Sequence, residues 1–247
     1  MMSYKVLITG ASRGIGRAIA LQLAKNGQYR LLLHASSASS LKELIGLLPV
    51  ETEYEILPFN FANEEEVSQL IRHLKQTHKD LYAIVSNAGI TRDKGLAFQP
   101  LKEIDELIQV NLKVPIQLAK AAMKIFPKND RGVFIALSSC VAETGSAFQS
   151  VYTATKAANV SLCKSLAREA GVLHTDKLIR FISVAPGFIQ TDMTNKLSEE
   201  IQQKYLRQIP SGRFGKTEEV AHAIEFLLSE NASYINGSEF KINGGLL

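Results

Sequence analysis

The chain has 247 residues, enough for one α/β domain with a sizeable core or for two small ones, and 46% of them are hydrophobic. A formal net charge of +4, no Trp and no interleaved run of cations and aromatics exclude a nucleic-acid-binding surface while suiting anionic small molecules or an acidic partner. Two cysteines, Cys140 and Cys163, are too few for a disulfide framework and fit a reducing cytoplasm.

The apolar run Lys5–Ile8 predicts a first strand, and Thr9-Gly10-Ala11-Ser12-Arg13-Gly14-Ile15-Gly16 follows at once. Arg17–Lys25 then carries apolar residues at helical spacing and stops at Asn26-Gly27. Strand, glycine loop and helix together are the context of a dinucleotide phosphate site, here with G-x-x-x-G-x-G spacing. Gly10 permits the tight turn, Gly14 the close approach of pyrophosphate, and Gly16 close helix–strand packing. The helix N-terminus offers unpaired N–H groups to the phosphates, and Ser12, Arg13 and Ile15 complete the cofactor-binding loop. A strand entered by about Lys5 leaves no room for a signal peptide, and no stretch approaches the roughly 18 apolar residues of a membrane span. A cytoplasmic chain without a membrane partner is expected.

Further strands are expected near 30–35, 54–57, 81–86, 132–138, 179–184 and 239–242, alternating with helical patterns and without any Pro/Gly/Ser-rich linker or repeat. That alternation predicts one α/β domain over residues 1–247: a Rossmann-type, doubly wound parallel sheet with helices on both faces. The second strand ends in His34-Ala35-Ser36-Ser37-Ala38-Ser39-Ser40, with no carboxylate before Glu43. A site for NAD would carry Asp or Glu here, roughly 20 residues past the loop. The hydroxyls of Ser36 and Ser37, with Arg13, suit a 2′-phosphate instead, so NADPH is the expected cofactor. Asn60 and Phe61 follow the third strand, where Phe61 would set a flat ring near the adenine. The run Glu64-Glu65-Glu66 behind Asn63 opens a helix at its positive dipole end. The five histidines (His34, His73, His78, His174, His222) show no metal-ligand spacing; they are expected at the surface, with no metal site.

Asn111 lies in a helical pattern that meets Pro115. Proline has no N–H, so a helix through this point frees the carbonyl of Asn111 as a site for an ordered water. The alternative is that Pro115 begins a fresh helix and Asn111 caps it. Ser139 follows the apolar run Gly132–Leu137, at the C-terminal strand edge where open α/β sheets bind ligands. Thirteen residues later comes Tyr152, with Lys156 four further on, on the same helical face. A free tyrosine has a pKa of about 10; a neighbouring ammonium favours phenolate and is expected to pull that value toward the working pH. Small residues on this helix (Ala154, Ala157, Ala158, Ser161, Ser165) suit a two-fold interface between copies.

Thr9–Gly16, Asn87-Ala88-Gly89, Asn111, Ser139, Tyr152, Lys156 and Pro186-Gly187 resemble, in order and spacing, the short-chain dehydrogenase/reductase family over nearly the whole chain. The stretches 87–93, 164–169 and 184–194 are most similar to bacterial reductases of 3-oxoacyl groups on acyl carrier protein. The resemblance implies that Ser139 and Tyr152 polarise a ketone oxygen, and that Tyr152 donates the proton. It also implies that Lys156 lowers the tyrosine's pKa and holds the ribose, and that Asn111 and its water resupply the proton. Asn87, Ala88, Gly89, Tyr152, Lys156, Pro186, Gly187, Ile189 and Thr191 would contact the cofactor. A homotetramer and an (R)-3-hydroxyacyl product are implied too. A reductase of another carbonyl or alcohol, and an idle nucleotide-binding subunit, are the alternatives. Four departures stand out: Ser86 and Ile182 where the family often has Asn, Asp130 breaking the basic run 127–131, and a lengthened link over 171–177. The last two weaken a housekeeping assignment and admit a dedicated pathway.

Overall fold

Side chains of a strand alternate between the faces of a sheet, and the first strand of this chain buries both. A computed structural model describes residues 4–191 and 199–246. In β1 (Tyr4–Ile8), Val6 and Ile8 enter one core and Leu7 the other, all three fully buried. The chain continues through α1 (Gly14–Asn26), β2 (Tyr29–Ala35), α2 (Lys42–Leu47), β3 (Tyr54–Pro58), α3 (Glu64–Thr77), β4 (Leu81–Ser86), α4 (Leu101–Ile108) and α5 (Val114–Ile125). It then forms β5 (Arg131–Leu137), α6 (Val141–Thr144), α7 (Ser150–Leu173), β6 (Leu178–Pro186), α8 (Glu199–Leu206), α9 (Thr217–Leu228) and β7 (Glu239–Ile242).

The seven strands are all parallel, in the order β3-β2-β1-β4-β5-β6-β7. The order reverses between β1 and β4, which opens a crevice at their C-terminal ends. One face is covered by α1 and α9, through Ile19, Leu23, Val220, Ile224 and Leu227. The other carries α3, α5 and α7, through Leu70, Leu74, Leu118, Ile125 and Cys163. The doubly wound parallel sheet expected from the alternation is therefore present. The departure at Ile182 is absorbed as a fully buried residue of the first core.

The expectation that all five histidines lie at the surface is wrong for His34 and His78, which are 3% and 2% exposed. His34 sits on β2, an interior strand covered on both faces, and His78 closes the C-terminus of α3. At the other end of α3 the Asn63 side chain accepts hydrogen bonds from the N–H groups of Glu65 and Glu66, so the three glutamates stand where the helix dipole favours them.

Arg180 of β6 is 2% exposed and has three backbone carbonyls as partners. It donates to the carbonyls of Leu227 (2.8 Å), Ala232 (3.0 Å) and Ser229 (3.4 Å), which gather at the end of α9. Helix C-terminal carbonyls have no partner within the helix, and a cation there also meets the negative end of the dipole. Replacing Arg180 with Met removes the guanidinium donor from the buried Leu227 carbonyl, while the Ala232 and Ser229 carbonyls keep the N–H groups of Ile235 (2.9 Å) and Ala232 (3.3 Å). The variant is expected to lose about 2–4 kcal/mol of unfolding free energy in urea denaturation; a loss below half that range would mean that water reaches the end of α9.

Candidate active site

The loop after β1 and the turn after β4 are stitched through one buried hydroxyl. Thr9 Oγ1 accepts the N–H groups of both Asn87 and Ala88, each at 2.9 Å. In return Asn87 Nδ2 donates to the carbonyls of Thr9 (2.8 Å) and Gly10 (3.2 Å). The amide nitrogen of Asn87 thus holds the glycine loop, a role additional to the ribose contact that the family resemblance implies. Gly10 has φ +65°, as the tight turn requires. A Cβ on Gly16 would stand 2.1 Å from the Gly10 carbonyl oxygen, so this glycine lets α1 close on the loop itself. Among the described residues, the nearest atom over Gly14 is Thr191 Cγ2, at 3.7 Å from where a Cβ would be.

Arg13, exposed, is the N-cap residue of α1 and makes no capping bond with its side chain; the first turn has no acidic residue. Ser12 and Ile15 beside it are half-buried. N–H groups without a side-chain cap, a nearby guanidinium and the absence of a carboxylate fit an anionic pyrophosphate.

His34 supports this loop from below. The Gly10 N–H donates to its Nδ1 (3.2 Å), so the proton lies on Nε2, which donates to the Phe59 carbonyl (2.8 Å). Burial pushes the imidazole down to about 4, keeping it neutral. Phe61 stacks on the ring with centroids 3.8 Å apart and is itself 5% exposed. The expectation of a Phe61 face open to adenine is therefore corrected, because that ring is committed to His34 and the core. Asn60 is also engaged locally: its Oδ1 accepts from Ala62 (3.0 Å) and its N–H donates to Glu66 (2.6 Å), forming the turn into α3. Ser36 and Ser37 are exposed at the end of β2, with the Ser37 hydroxyl paired to that of Ser39 at 3.1 Å. The next carboxylate, Glu43, is bound by Arg17.

At the far side of the crevice β5 delivers Ser138 and Ser139. The Ser138 hydroxyl holds the Lys156 carbonyl (2.9 Å), anchoring α7 to the strand end. Lys156 is 5% exposed, and its Nζ donates to the Leu137 carbonyl (2.8 Å) while lying 5.7 Å from the Tyr152 ring centroid. The Tyr152 phenol faces the Ser139 hydroxyl, whose influence opposes the effect of burial on it. A Cβ on Gly89 would stand 3.3 Å from both Lys156 Nζ and Asn111 Oδ1, so glycine leaves the space those two groups use. The structure brings Ser139, Tyr152, Lys156 and Asn111 into one neighbourhood.

The electrostatics differ from the expectation. Burial pushes the Tyr152 phenol up to about 12, against the opposing influence of Ser139, and pushes the Lys156 ammonium down to about 8. Desolvation outweighs the pull of Lys156 on the phenol here, where the ammonium is bonded to a carbonyl. At neutral pH the pair is a protonated phenol beside a mostly charged lysine.

Asn111 sits in a π-helical turn over Gln109–Lys113, where the Val114 N–H reaches back to the Gln109 carbonyl. The bulge expected before Pro115 is present, and Pro115 does stand in the first turn of a fresh helix, α5. The Asn111 side chain pairs with both backbone groups of Ile90, each at 2.8 Å. Its carbonyl accepts from Asn159 Nδ2 at 3.0 Å, a partner the sequence reading did not name. Asn159 lies three residues beyond Lys156 on the same helical face, and that spacing was the available signal.

Beyond β6 the Pro186 carbonyl accepts from the Cys140 N–H, and the Gly187 N–H donates to Ile242, both at 2.9 Å. Ile189 is buried and bridges to Gly215; Thr191 is half-buried on the side of Gly14. Asp192, Met193 and Thr194 of the motif lie outside the described residues.

Residues 10–247 match a family model described as Enoyl-(Acyl carrier protein) reductase. The chain is 37% identical over 246 residues to the 3-oxoacyl-[acyl-carrier-protein] reductase FabG of Staphylococcus aureus (strain Mu50), covering 99% of this chain and 98% of that protein. It is 38% identical to the reductase of the same name from Aquifex aeolicus, covering 97% and 96%. With that of Rickettsia bellii the identity is 39%, covering 98% and 95%.

The buried His34 makes the loop acid-sensitive. Its folded value near 4 lies below the ordinary 6.5, so the unfolded chain binds the extra proton between those limits. Stability from this group is full above pH 6.5 and falls as pH drops toward 4, by about 3 kcal/mol in total. In His34→Gln that segment of the stability–pH curve is expected to flatten, measured by urea denaturation at stepped pH. An unchanged slope would place the acid sensitivity elsewhere.

Proposed function

The chain belongs to the short-chain dehydrogenase/reductase family, and from that we propose that it reduces a 3-oxoacyl thioester carried on acyl carrier protein to the (R)-3-hydroxyacyl product, with NADPH as the hydride source. The observation that carries this reading is the meeting of Ser139, Tyr152 and Lys156 at the carboxyl edge of the sheet, beside a glycine loop fitted to a pyrophosphate. The bound nicotinamide supplies the hydride. The chain's own residues do the rest. The hydroxyls of Ser139 and Tyr152 hydrogen-bond the ketone oxygen, and the phenol, held protonated by burial, gives up its proton as negative charge develops there. Lys156 then acts on the product side of that transfer: its buried ammonium stabilises the phenolate left behind, in a site where charges interact more strongly than in water. Asn111 and Asn159, joined through the Asn111 carbonyl, hold the wall against which Lys156 packs.

NADPH is supported by exposed Ser36, Ser37 and Arg13, by the lack of any carboxylate from Arg30 to Ser40 to accept from a ribose diol, and by the pairing of the next one, Glu43, with Arg17. An apolar acyl chain is supported by Phe98 and Phe148, 82% and 64% exposed, which flank Gly95. The Lys94 backbone N–H donates to the Phe148 carbonyl (2.9 Å), tying this apolar rim to the loop that leads into Tyr152.

A second reading, a dedicated pathway with the same chemistry, is favoured by the two departures that meet in space. Asp130 pairs with Lys177 at 2.5 Å, and Arg131 pairs with Glu230 at 2.9 Å. Cations that a carrier's acidic helix would use are thus engaged within the chain. No helix of the described residues is long and apolar enough to cross a membrane. We hold the homotetramer on the small residues of α7, where Ala154 is exposed and Ala157 and Ala158 are half-buried.

Tyr152→Phe is expected to keep cofactor binding, followed by fluorescence titration of NADPH, and to lose 10²–10⁴-fold in turnover of an acetoacetyl thioester. Turnover above a tenth of wild type would remove the phenol from the proton-donor role. Ser36→Asp is expected to lower the ratio of kcat/KM for NADPH over NADH by at least about tenfold, by placing charge against the 2′-phosphate. A wild-type preference for NADH, or a ratio unmoved by Ser36→Asp, would displace the phosphate site.

A further inference from the structure

Far from the crevice, at the opposite end of the sheet, three side chains converge without a role in the chemistry above. Glu55 lies near the start of the edge strand β3, His73 just before the last turn of α3, and His78 at the C-cap of that helix. Their ligand atoms all lie within 4.8 Å of one another. His73 Nε2 is 2.9 Å from one Glu55 oxygen, and His78 Nε2 is 3.4 Å from the other. The two Nε2 atoms are 3.3 Å apart, on rings set edge to face at 76°.

We propose that Glu55, His73 and His78 form a binding site for a tetrahedral divalent transition ion of the Zn²⁺ class. The edge lengths carry the argument. With metal–nitrogen bonds near 2.0–2.1 Å and metal–oxygen bonds near 2.0–2.2 Å, neighbouring ligand atoms of a tetrahedron stand about 3.3–3.4 Å apart. The Nε2–Nε2 and Nε2–Oε2 separations have these values already. A network of protons alone serves the trio poorly. If both Nε2 atoms donate to Glu55, two N–H groups oppose each other at 3.3 Å. His73 Nδ1 lies 3.5 Å from the Thr77 hydroxyl, the kind of outer contact that orients a ligating imidazole.

The site is closed on one side and open on the other. The His78 side chain is 2% exposed, whereas His73 and Glu55 are 35% and 30% exposed, leaving an entry path and a fourth position for water. Two imidazoles and one carboxylate suit Zn²⁺ or Co²⁺ over Mg²⁺ or Ca²⁺, which prefer all-oxygen shells. The nearby Lys5 ammonium is paired with Asp80 at 2.8 Å. Bound here, the ion cross-links an edge strand to a helix and so acts on stability.

The test is titration of chelator-treated full-length protein with ZnCl₂ by calorimetry, and with CoCl₂ by visible absorption. Expected are one ion per chain, an intense four-coordinate Co²⁺ spectrum and a melting temperature raised by Zn²⁺. His73→Gln and Glu55→Gln, at half-exposed positions that leave the fold standing, should each weaken binding by at least about tenfold and abolish the thermal shift. His222→Gln, an exposed control, should change neither. Ketone reduction should be unaltered in all three variants, so that failure here is separable from failure of the proposed activity. Equal Zn²⁺ affinity in wild type and both variants, a weak octahedral Co²⁺ spectrum, or displacement of Zn²⁺ by equimolar Mg²⁺ would overturn the proposal.

Discussion

Every strand of this sheet runs in the same direction, so the chain can leave a strand only at one edge and must return along a helix to begin the next. The segments after β1, β4, β5 and β6 therefore emerge side by side, although they are separated by up to about 180 residues of sequence. The reversal of strand order between β1 and β4 keeps any crossover from covering the gap between them. Glycine loop, Asn87 turn, Ser139 and Pro186 are neighbours for that topological reason, and most of the local geometry follows from having to pack four loop starts into one crevice.

Within that crevice burial, more than pairing, sets the charge states. Lys156, Tyr152 and His34 are all shifted chiefly by loss of water, and all toward the neutral form. The consequences differ with position. His34 becomes a fixed donor–acceptor strut under the loop. Tyr152 becomes a firmly protonated phenol. Lys156 stays on the edge of its titration, with a carbonyl rather than a carboxylate as partner. No carboxylate is needed to hold it, and one there would weaken its influence on the neighbouring phenol.

The elements were legible because period and punctuation are local properties. All seven strands were expected within about two residues of where they lie, and the bulge at Asn111 followed from one proline. What escaped depended on contacts between distant segments. His34 and Thr9 gain their meaning only when β2 and β4 flank β1. Glu55 meets His73 and His78 across a strand–helix crossover, and an i, i+5 pair on a helix gives no recognisable spacing by itself. Phe61 was placed correctly along the chain and wrongly in space, since an aromatic after a strand serves a ligand or the core equally well in sequence. The Tyr152–Lys156 pair was found by its spacing. Its electrostatics were misjudged, because spacing reports proximity and says nothing about desolvation.

The single hydroxyl of Thr9 has a mechanical meaning. By accepting two N–H groups from beyond β4 while Asn87 clasps the carbonyls behind it, Thr9 fuses the two banks of the crevice into one piece. A cofactor settling there meets a floor whose shape is already paid for in the folding of the chain, and little ordering entropy is left to lose on binding. Such a floor cannot adapt. Under the proposed function, selection among cofactors falls to the exposed rim at Arg13, Ser36 and Ser37, where side chains still have rotamers to choose from.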